Sequence, residues 1–266
     1  MLLLLDIGNT HTHLGLANRT RVLRHADLPT SAWRDGRAEA LVEAFAARAR
    51  LHAAAFCSVV PKVSPLARRA VTGRGRLPCL ELTAKTVRGV GIDYPNPATI
   101  GPDRLANALA ARHAFGAPVV VADFGTAVTL DVVDRAGNYV GGIIAPGLAA
   151  MTDYLHEKTA LLPRIRLRDI RGAIGRSTRQ AMLIGAVHGY RGLIRQLILE
   201  LKCHLNLRRL PVVATGGYAA LIARKLPEIT AVRPTLTLEG LRLAWEGRAG
   251  QLSEAARTRR ASRPLL

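Results

Sequence analysis

The stretch that decides the fold is residues 119–131, which spell VVVADFGTAVTLD. Its first four residues are apolar and mostly valine, a pattern typical of a strand buried on both faces. The strand ends at Asp123. Gly125 follows, where the missing side chain lets backbone N–H groups approach a bound phosphate, and Thr126 adds a hydroxyl donor. Because residues 126–133 again suit a strand, the stretch predicts a strand–turn–strand unit with a phosphate-binding turn.

The same unit opens the chain. Four leucines at residues 2–5 run into DIGNT at residues 6–10, and a strand pattern resumes at residues 12–16. The copies align Asp6 with Asp123, Gly8 with Gly125, Asn9 with Thr126 and Thr12 with Thr129. Acid–glycine turns are common in hairpins, so two unrelated hairpins are the alternative. Because four apolar residues precede each turn, we interpret the pair as an internal duplication.

Length and composition predict a two-domain protein. The chain has 266 residues, of which 49% are hydrophobic, so it can bury a large core. No apolar run approaches the ~18 residues that cross a membrane. The three cysteines, Cys57, Cys79 and Cys203, form no C-x-x-C pair. Such a set predicts reduced, mostly buried thiols in a cytoplasmic protein without a membrane segment.

The chain is strongly basic, with a formal net charge of +19 at pH 7. Charge of this size favours contact with polyanions, although a compositional bias toward Ala and Arg produces the same excess without a binding role. The one concentrated basic tract is residues 257–263, RTRRASR. It suits either a solvated tail or a nucleic-acid arm. We predict a disordered tail over residues 251–266 and no nucleic-acid partner despite the charge.

The spacing of apolar residues predicts the order β-β-β-α-β-α-β in the first half of the chain, and the second half repeats it. Helical patterns cover, among others, residues 103–114, 177–202, which is the longest, and 235–247. The predicted domains are residues 1–115 and 116–250, followed by the basic tail at 251–266.

The two turns suggest phosphate chemistry. Carboxylates repel a triphosphate, so a nucleotide at Asp6 and Asp123 implies Mg²⁺. The chain has neither the P-loop nor the G-x-G-x-x-G pattern. The turn at residues 215–217 suits either adenine packing or entry into a helix. His11 and His13 alternate along a strand without a third ligand at metal spacing, which favours surface or phosphate-neighbouring residues over zinc ligands.

Asp103 lies in the first turn of a predicted helix, directly after Gly101 and Pro102. At such a position a capping acid is ordinary. The preceding loop at residues 89–97 is rich in glycine and proline, and is either a connector or part of a site.

Eight motifs in order make the chain resemble the type III pantothenate kinases, a family within the acetate and sugar kinase, Hsp70 and actin superfamily. The motifs are DIGNT (6–10), DYPNP (93–97), GPDR (101–104), DFGTA (123–127), GGIIAPG (141–147), GRST (175–178), TGG (215–217) and LTLEGL (236–241). Only the arginine excess and the end beyond about residue 250 depart from the family pattern. The resemblance implies an α/β fold of two similar actin-like (ribonuclease H-like) domains, each a mixed βββαβαβ sheet flanked by helices, with a nucleotide in the cleft between them.

The resemblance also implies a reaction, the ATP-dependent phosphorylation of pantothenate to 4'-phosphopantothenate in coenzyme A biosynthesis. It assigns Asp103 as the catalytic base for the primary hydroxyl of pantothenate, in place of a capping acid. It implies pantothenate contacts at Tyr94, Gly101, Pro102, Asp103, Arg104 and Thr178. It implies ATP or phosphate contacts at Asp6, Ile7, Gly8, Asn9, Thr10, His11, Thr12, His13, Gly125, Thr126, Gly216 and Gly217.

Two cations and a partner subunit follow from the same resemblance. Asp123 would bind a monovalent cation, K⁺ or NH₄⁺, and Asp6 would bind Mg²⁺, directly or through water. Family members are homodimers, in which Thr178 reaches the site of the other subunit.

Two alternatives stay open. Some relatives were first described as accessory factors for a virulence regulator, so a non-catalytic regulatory or polyanion-binding role is the first. The +19 charge favours it, whereas the intact set of Asp6, Asp103 and Asp123 opposes it. The second is a sugar kinase of the same superfamily, which the motifs around Tyr94 and Thr178 disfavour.

Overall fold

The computed structural model describes the backbone of residues 1–73 and 77–261, with side chains as far as residue 248. These residues form two compact units. The first contains Met1–Ala114 together with the chain from Thr235 onward, and the second contains Phe115–Pro234.

The helices and strands alternate along the chain. The first half forms β1 (Leu2–Ile7), β2 (His11–Ala17), β3 (Val22–Pro29), α1 (Ser31–Arg34), α2 (Ala38–Ala46), β4 (Ala53–Ser58), α3 (Ser64–Thr72), β5 (Cys79–Glu81), β6 (Gly91–Ile92), a 3₁₀ turn (Pro97–Thr99) and α4 (Pro102–Phe115). The second half forms β7 (Val119–Phe124), β8 (Ala127–Val133), β9 (Asn138–Pro146), α5 (Leu148–Lys158), α6 (Thr178–His204), β10 (Val212–Thr215), α7 (Ala219–Ala223), β11 (Ala231–Val232) and α8 (Leu236–Ala261).

The first unit is built on a mixed sheet with strand order β3-β2-β1-β4-β5. The central strand β1 pairs antiparallel with β2 and parallel with β4. Its residues 2–5 are almost completely buried, because helices cover both faces of the sheet. One face packs on a core of aliphatic side chains with Phe56 and Trp33, and α8 packs on the other.

The second unit repeats this arrangement. Its strands run in the order β11-β10-β7-β8-β9, with β7 central, antiparallel to β8 and parallel to β10. The strands β1 and β7 share one burial pattern, in which four buried residues precede a partly buried acid and one more buried residue. The predicted α/β class with two similar mixed sheets is therefore confirmed, and the shared order supports the duplication.

The two turns differ in length, which corrects part of the predicted alignment. Ile7 pairs with Thr12, whereas its counterpart Phe124 pairs with Val128. The first turn closes with Gly8 N donating to His11 O at 3.0 Å, and the second with Gly125 N donating to Ala127 O at 3.0 Å. Because the second turn is one residue shorter, Thr12 corresponds to Val128, and its alignment with Thr129 was wrong.

The last helix corrects the predicted domain bounds. Residues from 235 onward belong to the first unit, not the second. Leu236, Leu238 and Leu241 are buried, and Gly240 lies so close to α4 that a Cβ there would meet Ala106 O at 2.0 Å. Thr237 and Asn107 also share a hydrogen bond of 2.9 Å. These contacts fix α8 to the unit that contains α4.

The predicted tail is also corrected in part. The helix α8 continues to Ala261, beyond the predicted end near 247, so residues 251–261 are helical and not disordered. Their sequence, QLSEAARTRRA, contains neither Gly nor Pro and is rich in good helix formers. Residues 262–266 lie outside the described residues. Over the part of the chain that is described, no helix has both the length and the apolar character that crossing a membrane requires.

Candidate active site

One threonine, Thr30, forms hydrogen bonds to the backbone of the turn between β1 and β2. Thr30 Oγ1 donates to Gly8 O at 2.7 Å, and Thr30 N donates to Thr10 O at 2.9 Å. Asn9 and Thr10 form the exposed tip of the turn. A Cβ on Gly8 would lie 2.9 Å from His11 O, so the tight turn requires glycine. The turn therefore offers a fixed backbone and exposed polar side chains to a ligand.

Two residues of the predicted ATP-binding set point away from this turn. The side chains of Ile7 and Thr12 are completely buried. Thr12 Oγ1 shares a hydrogen bond of 3.1 Å with Thr30 and accepts another, also 3.1 Å, from Trp33 Nε1. Both side chains therefore belong to the core of the first unit, so the ATP contacts predicted at Ile7 and Thr12 would involve backbone atoms.

Asp6 ends the buried run of β1 as a partly buried acid. Its Oδ1 accepts a hydrogen bond from the thiol of Cys57 on β4, with Sγ and Oδ1 3.3 Å apart. Burial and then the negative charge of Asp103 raise the pKa of Asp6 from 3.8 to about 6, against the opposing effect of His13. Asp6 and Asp103, about a hundred residues apart in sequence, therefore lie near each other in the first unit.

Asp103 lies in the first turn of α4, after Gly101 and Pro102. Its Oδ1 accepts a hydrogen bond of 2.8 Å from the backbone N–H of Arg104, so the acid does have a structural contact at the helix start. Burial raises its pKa, and the hydrogen bond and charge of Arg104 oppose this increase. A Cβ on Gly101 would lie 2.5 Å from Asp103 Oδ1. Glycine at 101 therefore leaves room for the carboxylate.

The remaining predicted contacts for pantothenate are split between the units. Tyr94 is 36% exposed in the loop before α4, in the same unit as Asp103. Thr178 is exposed in the second unit, as the first residue of α6. Ser177 caps that helix by accepting a 3.3 Å hydrogen bond from Gln180 N, and Gln180 Oε1 accepts one of 2.9 Å from Arg176 N.

The two histidines lie on the exposed face of β2, as their alternation predicted. His13 Nδ1 and Asp27 Oδ1 are 2.7 Å apart, and the rings of His11 and His13 have centroids 6.4 Å apart. Among the described residues, no group of three His, Cys, Asp or Glu side chains is placed to hold a metal ion. Both histidine side chains are therefore exposed close to the β1–β2 turn.

The second unit brings its predicted residues to the ends of two adjacent parallel strands. Asp123 on β7 pairs with Thr215 on β10, and Gly216 follows with a φ of +88°. A Cβ on Gly216 would lie 2.6 Å from Asp123 Oδ1. Gly125, Thr126 and Gly217 are exposed around this point. The Asp123 carboxylate therefore lies against backbone that only glycine permits.

The donor set of the first unit fits Mg²⁺ that arrives with a nucleotide. Mg²⁺ usually binds one or two carboxylates and completes its shell with phosphate oxygens and water. Burial and then the charge of Asp103 raise the pKa of Asp6, so a cation next to Asp6 would favour its ionised form. Asp6 is thus a residue that could hold such a nucleotide-bound ion, directly or through water.

Sequence reasoning missed four residues around these turns: Cys57, Asp27, Thr30 and Gly147. A Cβ on Gly147 would meet Thr126 O at 2.3 Å, so this glycine lets the chain pass the second turn. Gly147 is the last residue of the GGIIAPG motif, so the sequence did indicate its importance. The other three had no signal, because their contacts depend on which strands become neighbours.

Comparison with known proteins agrees with the resemblance. The model of the type III pantothenate kinase family matches residues 2–200. The type III pantothenate kinase of Akkermansia muciniphila is 47% identical over 243 residues, which cover 91% of this chain and 97% of that protein.

Solved structures agree on the fold. A conserved Campylobacter jejuni protein described as a Baf family transcriptional activator is 18% identical, with a TM-score of 0.59 over 93% of this chain and 99% of that one. MreB 5 of Spiroplasma citri, bound to AMPPNP, is 10% identical, with a TM-score of 0.53 over 96% and 98%. These likenesses establish the actin-like fold, and the sequence matches establish the family. The chain belongs to the type III pantothenate kinase family.

Proposed function

We propose that this protein transfers the γ-phosphoryl group of ATP to pantothenate and so produces 4'-phosphopantothenate, the first step of coenzyme A biosynthesis. The observation that carries the proposal is that Asp103 lies in the same unit as Asp6, near enough for its charge to raise the pKa of Asp6, in a chain of this family. A base for the acceptor hydroxyl and an acid for the metal-bound phosphates are thereby close together.

Asp103 is the proposed base. Its carboxylate orients the primary hydroxyl of pantothenate and accepts its proton as the new P–O bond forms. The bond from the γ-phosphorus to the bridging oxygen breaks, and ADP leaves with that electron pair. Burial raises the pKa of Asp103, which makes its carboxylate a better proton acceptor near neutral pH. Tyr94 and the segment 101–104 are the proposed pantothenate contacts of the same unit.

The nucleotide is proposed to bind the two glycine turns. In the first unit, the backbone at Gly8 and the polar groups of Asn9, Thr10, His11 and His13 are exposed or partly exposed. In the second unit, Gly125, Thr126, Gly216 and Gly217 are the contacts. Asp6 would hold the Mg²⁺ that arrives with ATP, and this ion would neutralise charge on the phosphates.

Asp123 is the proposed ligand of a monovalent cation, K⁺ or NH₄⁺. Its partly buried carboxylate at the end of β7 lies where a positive charge would offset the phosphates of the nucleotide. The close approach of Gly216 supports this role, because it holds the carboxylate in one place.

A homodimer is proposed, with Thr178 serving the site of the partner subunit. Its support is the exposure of large apolar side chains in the second unit, among them Ile174 at 86% and Leu161 at 90%. Exposed apolar side chains of this size are available to pack in a subunit interface. The three cysteines are free, which agrees with the cytoplasmic location that we propose.

The test is an ADP-release assay with purified protein, Mg²⁺ and K⁺, in which pantothenate is compared with candidate sugars. We expect turnover with pantothenate and background rates with sugars, and Asp103→Asn serves as the control for a contaminating kinase. Turnover with a sugar alone would favour the sugar-kinase alternative. No turnover with any acceptor would contradict the proposal. The regulatory alternative has only the +19 charge in its favour, since a likeness at 18% identity shows the fold alone.

A further inference from the structure

A row of four polar side chains crosses the sheet of the first unit at the level of Asp6. Cys57 on β4 pairs with Asp6 on β1, Asp6 pairs with His13 on β2, and His13 pairs with Asp27 on β3. Residues directly opposite each other on neighbouring strands point to the same face of a sheet. The row therefore runs across one face in the order Asp27, His13, Asp6, Cys57.

The row contains two hydrogen bonds. Cys57 Sγ donates to Asp6 Oδ1 over 3.3 Å, and His13 Nδ1 lies 2.7 Å from Asp27 Oδ1. An ionised carboxylate only accepts hydrogen bonds, so Nδ1 of His13 carries the proton in this contact. Asp27 thereby determines which ring nitrogen faces β3 and leaves Nε2 as the nitrogen that Asp27 does not contact.

A charge on an edge strand can prevent pairing with another chain, but that role does not require Asp27 to contact His13. Aspartate is disfavoured in strands, and β3 lies at the edge of its sheet. The side chains of His13 and Asp27 are 46% and 58% exposed, and an ion pair so exposed adds little to stability. His13 lies on the strand next to Asp6 and close to the β1–β2 turn. This position suggests that the His13–Asp27 pair has a role in the proposed nucleotide site.

We propose that Asp27 is a positioning residue for ATP binding, which fixes the ring of His13 so that its other nitrogen serves the phosphates at the β1–β2 turn. A histidine between a carboxylate and a phosphate donates one N–H to each, and hydrogen bonds of this charge-assisted kind are the stronger ones. The inference rests on the proposed nucleotide site and adds to it a residue that does not itself touch ATP.

The direction in which ATP affinity changes when Asp27 is removed distinguishes a positioning role from a purely electrostatic effect of its charge. Asp27 is a negative charge near a site for a triphosphate, so removing it should tighten ATP binding if charge alone matters. If Asp27 positions His13, its removal should weaken ATP binding. The matched control is Asp35→Ala, because Asp35 is also an exposed acid of the first unit, paired with Arg37 at 2.9 Å.

The experiment measures the Kd of a non-hydrolysable ATP analogue by calorimetry, together with KM for ATP, KM for pantothenate and kcat. For Asp27→Ala we expect the Kd and the KM for ATP to rise about tenfold, as for the loss of one charge-assisted hydrogen bond. The KM for pantothenate, kcat and Tm should stay within about twofold or a degree or two of wild type. Asp27→Ala added to His13→Ala should have no further effect, because Asp27 acts through His13.

Three results would overturn the inference: an unchanged or lower Kd in Asp27→Ala, an equal change in Asp35→Ala, or an additive effect in the double variant. The binding measurement does not require phosphoryl transfer. A wild-type protein that binds the analogue but does not phosphorylate pantothenate would therefore refute the proposed function and leave the role of Asp27 to be decided by the same Kd values. A wild-type protein that does not bind the analogue would refute both.

Discussion

Gly216 leaves no space for a side chain against Asp123, since a Cβ there would lie 2.6 Å from Asp123 Oδ1 and 2.7 Å from Phe124 N. Its φ of +88° also disfavours any residue with a side chain. Glycine at 216 therefore leaves the space that the Asp123 carboxylate, our proposed cation ligand, occupies between the ends of two strands.

Gly216→Ala should therefore harm both stability and the cation site. The added methyl group meets backbone, which cannot rotate away, so we expect a loss of about 2 kcal/mol or more. Gly36→Ala is the matched control, because Gly36 has a φ of +71° but open space around it. It should lose only about 1 kcal/mol. Equal Tm values for the two variants would show that the contact with Asp123 does not matter.

Asp103→Asn tests the base. Asparagine keeps the shape of the side chain and removes the proton acceptor, so kcat should fall by about 10²–10⁴. Because the proposed nucleotide contacts lie on other elements, the Kd for an ATP analogue and the Tm should change little. Turnover near the wild-type rate would mean that Asp103 serves only the start of α4, through its contact with Arg104 N.

We predict that Asp6→Asn changes how the stability of the folded protein depends on pH. The pKa of Asp6 is raised from 3.8 to about 6 in the folded protein, so between these values the folded state binds more protons than the unfolded state. Wild-type stability therefore decreases as pH rises through this window, by up to about 3 kcal/mol in total. The Asp6→Asn variant should not show this decrease in stability, because asparagine does not titrate.

Without Mg²⁺ or nucleotide, the Tm of Asp6→Asn relative to wild type should thus be higher at pH 7.5 than at pH 5. Asp35→Asn, which changes an exposed acid of the same unit, should give the same Tm difference at both pH values. If Asp6→Asn also gives a constant difference, its carboxylate is not destabilised in the folded protein.

Activity should require K⁺ or NH₄⁺. The proposed site at Asp123 supplies a single carboxylate to a weakly bound cation, so replacing K⁺ by Na⁺ at constant ionic strength should abolish most of the turnover. Asp123→Asn should raise the K⁺ concentration that gives half-maximal activity. Equal turnover rates in Na⁺ and K⁺ would contradict the proposed requirement for K⁺ or NH₄⁺.

A shared active site should be detectable by mixing subunits. A heterodimer of Asp103→Asn and Thr178→Ala subunits contains one site with both wild-type residues if Thr178 serves its partner. Its activity should then approach half that of wild type and exceed the average of the two parent homodimers. Activity equal to that average in purified heterodimers would place Thr178 in the site of its own subunit.

The amino-acid sequence by itself determined the parts of this protein that depend on local pattern. The apolar runs before Asp6 and Asp123 predicted two central strands, and the glycines that follow predicted tight turns at their ends. Both predictions hold because burial on two faces demands continuous apolar residues and a tight turn excludes a Cβ. The order of the motifs was also sufficient to indicate the family.

Only the tertiary structure decided which distant residues meet. Cys57 reaches Asp6, and Asp27 reaches His13, through strand pairings whose partners and register no local pattern specifies. Thr12 turned inward because the side chains of a strand alternate between faces, and the turn length determines which residue falls on the core side. The helix α8 returned to the first unit because Gly240 allows close contact with α4. Such contacts depend on shape complementarity between elements far apart in the chain, which periodicity along the chain does not encode.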